Sequence, residues 1–152
     1  MAITQAEARQ QILDDLGAAN ERIGYALGAL SVAYEELTAG PADRLEESLY
    51  APVQKAYGRG KRTRAQFADR MGFQVEEVEP ASPGLRSQGV KSLIEHAVAG
   101  AGEGDRLISE LQDTMLPVES GDPELRAGLA DVRKLLAGLP TASREFLRTL
   151  GR

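Results

Sequence analysis

Ile12, Leu16, Ala19, Ile23, Leu27, Leu30, Tyr34 and Leu37 recur three and four residues apart. That spacing puts them on one face of a helix and excludes the alternation of a strand. Thr4 with Glu7 three residues on makes a capping box at its start, and Gly40-Pro41 supplies a stop. The pattern predicts a first helix over about 4–38. Leu45, Leu49, Val53, Ala56, Gly60, Thr63, Phe67 and Met71 form the stripe of a second, over about 42–71. Pro52 lies inside that stripe and is expected to kink the helix near Glu47–Ser48.

Val90, Ile94, Ala97, Ala101, Gly104, Ile108, Leu111 and Met115 alternate four and three apart, as in a heptad seam. They predict a third helix over about 88–116. Gly100, Gly102 and Gly104 weaken its middle, each by about 1 kcal/mol relative to Ala. The helix is nevertheless expected to be continuous. Asp122-Pro123-Glu124 starts a fourth over about 122–138, and Pro140 ends it. Thr141 is the expected cap of a short fifth over about 141–150. The long connection 72–87 is acidic at Glu76, Glu77 and Glu79 and broken by Pro80 and Pro83.

These elements predict an all-α fold, an antiparallel up-and-down four-helix bundle with a short C-terminal fifth helix. Neither half can bury its apolar stripe alone, so residues 1–152 are read as one domain. Up-down-up-down is the simplest order for the turn at Ala39–Pro41, although the long connection admits others.

Composition removes several chemistries. The 152 residues contain no Cys and one His, which excludes disulfides, thiolate chemistry and sites that need two imidazoles. A ferritin-like di-metal site needs two Glu-x-x-His units, so neither a metal nor a cofactor is expected. No run of about 18 apolar residues exists and Met1–Gln5 lacks a signal-like pattern, so no membrane partner and a cytoplasmic location are expected.

The net charge is −5. Against it stands a basic island: Lys55, Arg59, Lys61, Arg62 and Arg64, without an acid among them. It is a candidate site for phosphate, nucleic acid or an acidic partner. Tyr57 is its one interleaved aromatic, and the negative total charge makes nucleic acid an unfavoured partner. A hairpin folding back near residue 40 sets position 60 beside position 20. Asp14, Asp15, Glu21 and the 76–79 acids would then neutralise the island.

Gly17, Gly24, Gly28 and Ser31 form a stripe of small residues on the first helix, with GxxxG spacing at Gly24 and Gly28. It permits close approach of another helix, inside the fold at Ala97, Gly100, Ala101 or Gly104, or in a homodimer. A homodimer is the expected assembly.

His96 is placed on the solvent side of the third helix by the heptad. The run His96-Ala97-Val98-Ala99-Gly100-Ala101-Gly102 resembles the phosphoacceptor motif of histidine-phosphotransfer domains, four-helix bundles with one exposed His. That resemblance implies phosphorelay through His96, with Gly100, Ala101 and Gly102 giving access. The family's Lys three residues after the His is Ala99 here, so Lys91 or Arg59–Arg64 would have to replace it. With no other constellation present, the sequence points to a non-enzymatic interaction or assembly module. The phosphorelay and the phosphate or nucleic-acid binder are its alternatives.

Overall fold

A computed structural model describes residues 3–83 and 86–151. They are helical, with no strand among them, and the helices pack together. Helix α1 spans Gln5–Glu35, capped by Thr4, whose hydroxyl accepts from the Glu7 amide at 3.1 Å. The break comes at Glu36–Thr38, ahead of Gly40-Pro41, which lie in the first turn of α2, Ala39–Leu45.

A π-turn, Glu46–Tyr50, joins α2 to α3, Ala51–Met71. The Ala51 amide reaches back five residues to the Glu46 carbonyl. Pro52 explains it: the ring has no N–H and crowds the carbonyl four residues earlier, at Ser48. Widening one turn relieves that crowding, so the irregularity falls where the sequence places it. Gly72 ends α3 at φ 76°, and the Phe73 amide donates to the Ala68 carbonyl at 2.8 Å.

After a 3₁₀ turn at Arg86–Gln88, α4 runs unbroken over Val90–Asp113. Gly100 and Gly104 are buried where α4 meets α1. A Cβ at Gly104 would lie 2.7 Å from Ile23 Cγ1 and 3.1 Å from the Ala19 carbonyl. Close packing therefore offsets the poor helix propensity. Met115, at φ 66°, turns the chain into the short α5, Leu116–Glu119. Helix α6 spans Pro123–Leu136 and α7 spans Leu139–Leu150. Pro140 sits in the first turn of α7 behind Gly138, so Thr141 is not the cap. A proline is at home in a first turn, whose amides have no helical partner.

Helix direction differs from the alternating order expected. Gly17, Asn20 and Gly24 of α1 face Arg64, Gly60 and Tyr57 of α3, which makes the pair antiparallel. Ala19, Arg22 and Tyr25 of α1 lie beside Gly104, Glu103 and Gly100 of α4, so α4 is antiparallel to α1 as well. Arg59, Thr63 and Arg70 of α3 meet Asp131, Gly128 and Asp122 of α6. The order is up, down, down, up. Its physical reason is the connection after Gly72, which climbs back along α1 as a strap. The Glu76 carbonyl meets Arg64, Pro80 lies on Gly24 and Pro83 on Gly28. That climb lets α4 start at the same end as α3. The core between the long helices includes Ile12, Leu16, Ile23, Leu49, Phe67, Ile94, Ile108 and Val132, all without exposed surface.

Two glycines of α4 should respond oppositely to Ala. Gly104→Ala is expected to destabilise the protein by about 1–3 kcal/mol through overpacking. Gly102, with nothing within 4 Å of an added Cβ, should gain about 0.5–1 kcal/mol on change to Ala. Urea midpoints of the two variants check the pair. A second test concerns Asp122, which caps α6 at Leu125 N, 2.8 Å away. Arg70 donates to it through Nε at 2.7 Å and Nη2 at 2.9 Å, which holds its carboxyl below the ordinary range. A depressed folded pKa gives stability that is present above the ordinary value of 3.8 and lost as pH falls through the folded value. Asp122→Ala should therefore cost about 1 kcal/mol at neutral pH. Its deficit should shrink in acid, as read by denaturation at several pH values.

Candidate functional site

The basic island divides into two faces of α3. Lys55, Arg59 and Arg62 are four and three apart, and so are Tyr57, Lys61 and Arg64, set two positions on. Two residues turn a helix by about 200°, so the sets point nearly opposite ways.

The outer set lines an open groove of about 790 Å³ between α3 and α6, with Glu47, Asp131 and Lys134. Arg59 donates through Nε to Asp131 Oδ2 at 3.0 Å. Lys55 and Arg62 are exposed and have no ion pair among the described residues. Lys134 joins them from a distant stretch of sequence. Its one sequence signal was its spacing three residues after Asp131 on an amphipathic helix.

The inner set faces α1 and the strap. Lys61 pairs with Glu77 at 3.3 Å, and its Nζ stands 4.8 Å above the Tyr57 ring. Arg64 donates through Nε to the Leu13 carbonyl and through Nη1 to the Glu76 carbonyl, each at 2.8 Å. No carboxylate pairs with it among the described residues. Burial pushes the Arg64 guanidinium below its usual pKa, and the charge of Asp14 partly offsets this.

Position 60 does lie beside position 20, as the hairpin register requires. The acids sort differently from expectation. Glu77 engages Lys61, but Glu21 turns to Arg22 at 2.7 Å and to the Ala81 amide at 2.9 Å. Arg22's hydrogen bond holds Glu21 below the usual carboxylate range. Asp14 and Asp15 accept from Gln10 and Gln11 within α1. Burial raises the Asp15 carboxyl despite its hydrogen bond to Gln11.

The glycine stripe is occupied from within the chain. Arg64 fills the space at Gly17, Tyr57 and Pro80 that at Gly24, and Pro83 that at Gly28. Neither the third predicted helix nor a second subunit is needed to cover it. Ser31 borders a recess with Tyr34, Glu35, Glu46 and Tyr50.

His96 is half-buried rather than on an open face, and its Nδ1 is enclosed without a hydrogen-bond partner. A Cβ at Gly100 would meet Tyr25 Cδ1 at 2.8 Å, so that glycine receives α1, whereas Gly102 has nothing within 4 Å of an added Cβ. The heptad missed the half-burial of His96 because Leu107, on the same side of α4, also packs on the core, widening the buried face beyond a two-position seam. Lys91 is exposed in the first turn of α4. Arg59–Arg64 lie on α3, which packs on α1 and α6 rather than on α4.

No group of acidic or imidazole side chains among the described residues could hold a metal ion, and no helix is long and apolar enough to cross a membrane. Comparison with protein families, with characterised proteins and with solved structures finds no match to this chain.

The strap's seat on α1 is testable. A Cβ at Gly24 would stand 2.7 Å from Pro80 Cγ and 2.8 Å from Tyr57 Cε1. Gly24→Ala should destabilise by about 1–3 kcal/mol and speed proteolytic cleavage within 73–83. Gly102→Ala should leave that cleavage unchanged.

Proposed function

We propose that this chain is a non-enzymatic interaction module that docks an acidic surface of another protein in the groove between α3 and α6. One observation carries the reading. Lys55 and Arg62 face this groove without ion pairs among the described residues, beside Arg59 and Lys134, while Lys61 pairs with Glu77 of the strap and Arg64 is bound to two backbone carbonyls. Charges left free on a face gain most from a complementary partner, chiefly in association rate and orientation.

Several features favour a protein over nucleic acid. The groove contains two carboxylates, Glu47 and Asp131, and no aromatic side chain on which a base could stack. The chain as a whole carries −5. A homodimer through Gly17, Gly24 and Gly28 is not part of this proposal, because it would have to displace the strap and Arg64.

Fluorescence anisotropy with a labelled oligoglutamate peptide tests the reading. Saturable binding that weakens with added salt is expected. Lys55→Ala, Arg62→Ala and Lys134→Ala should each weaken it by about two- to fivefold, as expected for exposed charges worth under about 1 kcal/mol. Lys61→Ala should not. Absent binding, or equal binding by the triple variant, discards the proposal. Tighter binding of single-stranded DNA through the same residues transfers it to nucleic acid.

A further inference from the structure

We propose that the recess between the C-terminal end of α1 and the π-turn is a binding site for a small quaternary ammonium ion, held by the rings of Tyr34 and Tyr50 beside the carboxylate of Glu46. The recess is about 360 Å³ and is lined by Ser31, Tyr34, Glu35, Glu46 and Tyr50. It shares no lining residue with the outer groove.

The rings are the first reason. The face of an aromatic ring is electronegative and attracts a cation within about 6 Å. The chain has four tyrosines, and two of them already hold one. Arg22 stands 4.7 Å from the centre of the Tyr25 ring, and Lys61 stands 4.8 Å from that of Tyr57. The two tyrosines of the recess have no such cation among the described residues. Tyr34 is 39% exposed, a large aromatic surface left in water near a second ring. Tyr50 is half-buried and packs on the core, which steadies it as a wall.

Charge is the second reason. Glu35 and Glu46 line the recess, and no basic side chain among the described residues does so. Glu46 is exposed, and its carboxylate makes no ion pair among the described residues. Helix α1 ends here on Glu35 and Glu36, with no basic residue in its last turn. A helix C-terminus carries partial negative charge and is better served by cations than by acids. Ring faces, carboxylates and helix end thus all favour positive charge at one place. The π-turn contributes its first and last residues, Glu46 and Tyr50. Four positions apart, they lie on one side of the helix, so carboxylate and ring are presented together.

The lining chooses the ligand class. A methylated ammonium rests its methyl groups on ring faces and requires no hydrogen bond, which suits walls made largely of two tyrosines. A calcium ion needs roughly six to eight oxygen ligands. No group of three or more acidic or imidazole side chains among the described residues could hold a metal. Phosphates and other anions would be repelled by Glu35 and Glu46.

Titration with choline, followed by NMR of the protein labelled on its tyrosine rings, tests this directly. Saturable shifts are expected for Tyr34 and Tyr50, with Tyr25 and Tyr57 unmoved. Tyr34→Leu and Glu46→Gln change exposed side chains and should keep the fold. Each should weaken choline binding by about two- to fivefold. Glu119→Gln, on α5 at the other end of α1, should leave it intact. The neutral alcohol in which carbon replaces choline's nitrogen has the same shape and should give no saturable shift. The proposal is overturned if choline gives none either, or if Tyr34→Leu or Glu46→Gln binds it as tightly as the parent protein. Equal binding of the neutral alcohol overturns it too, since the recess would then select for apolar shape alone. Tighter binding of ethanolamine than of choline overturns the quaternary class in favour of a primary amine. None of these results bears on the outer groove, whose variants are different residues.

Discussion

The close approach of neighbouring chain to helix α1 is the constraint on which the rest of the structure depends. Two sides of α1 are built for it. On one, Gly17, Gly24 and Gly28 admit Arg64, the Tyr57–Pro80 pair and Pro83. On the other, Gly100 and Gly104 of α4 receive Tyr25 and Ile23 of α1. Glycine is a poor helix residue, so these helices give up local stability to gain contact. The return is dense packing around a 31-residue helix with thirteen buried positions. Without that proximity the strap has no seat, and α4 loses its position beside α1.

The division of the basic island follows from the same constraint. Because α3 lies against α1, one face of its cationic run is drawn under the strap. There Lys61 and Arg64 act as fasteners through Glu77 and two carbonyls. The opposite face meets α6, where Arg59 pairs with Asp131 while Lys55 and Arg62 have no ion pair among the described residues. A run that reads as one feature in sequence becomes two sites with different solvent, different partners and different chemistry.

What could be read from sequence was what is local. The three-and-four spacing located every long helix, Asp122 announced the start of α6, and Pro52 located the π-turn, because each depends on neighbours within about one turn. Residue 60 beside residue 20 followed from a tight hairpin. Helix direction did not follow, since an amphipathic stripe looks the same whichever way it packs. The strap was hidden for a related reason. Its hold comes from Pro80 and Pro83 on remote glycines, and its backbone has little secondary structure of its own. Thr141 and Pro140 were confused because both are start signals, and the proline's fixed φ prevailed. At the site, the island itself was visible. Lys134 was not, because nothing in a sequence tells which distant side chain will border a groove.

The down-down course of α3 and α4 also bears on how the chain acquires its structure during synthesis. The hairpin of α1 with α3 can assemble as soon as residue 71 has left the ribosome, from contacts shorter in sequence (Gly24 with Tyr57, Gly17 with Arg64) than those of α1 with α4 (Tyr25 with Gly100, Ala19 with Gly104). The other side of α1 must wait for Gly100 and Gly104. Until then a nascent chain displays Ile23, Ala19 and their apolar neighbours to the cell with no cover. The strap is made in between, and by settling on Gly24 and Gly28 it shields one flank of the hairpin first. The interval before α4 arrives is the stage at which a chaperone, or an unwanted neighbour, would find this protein open.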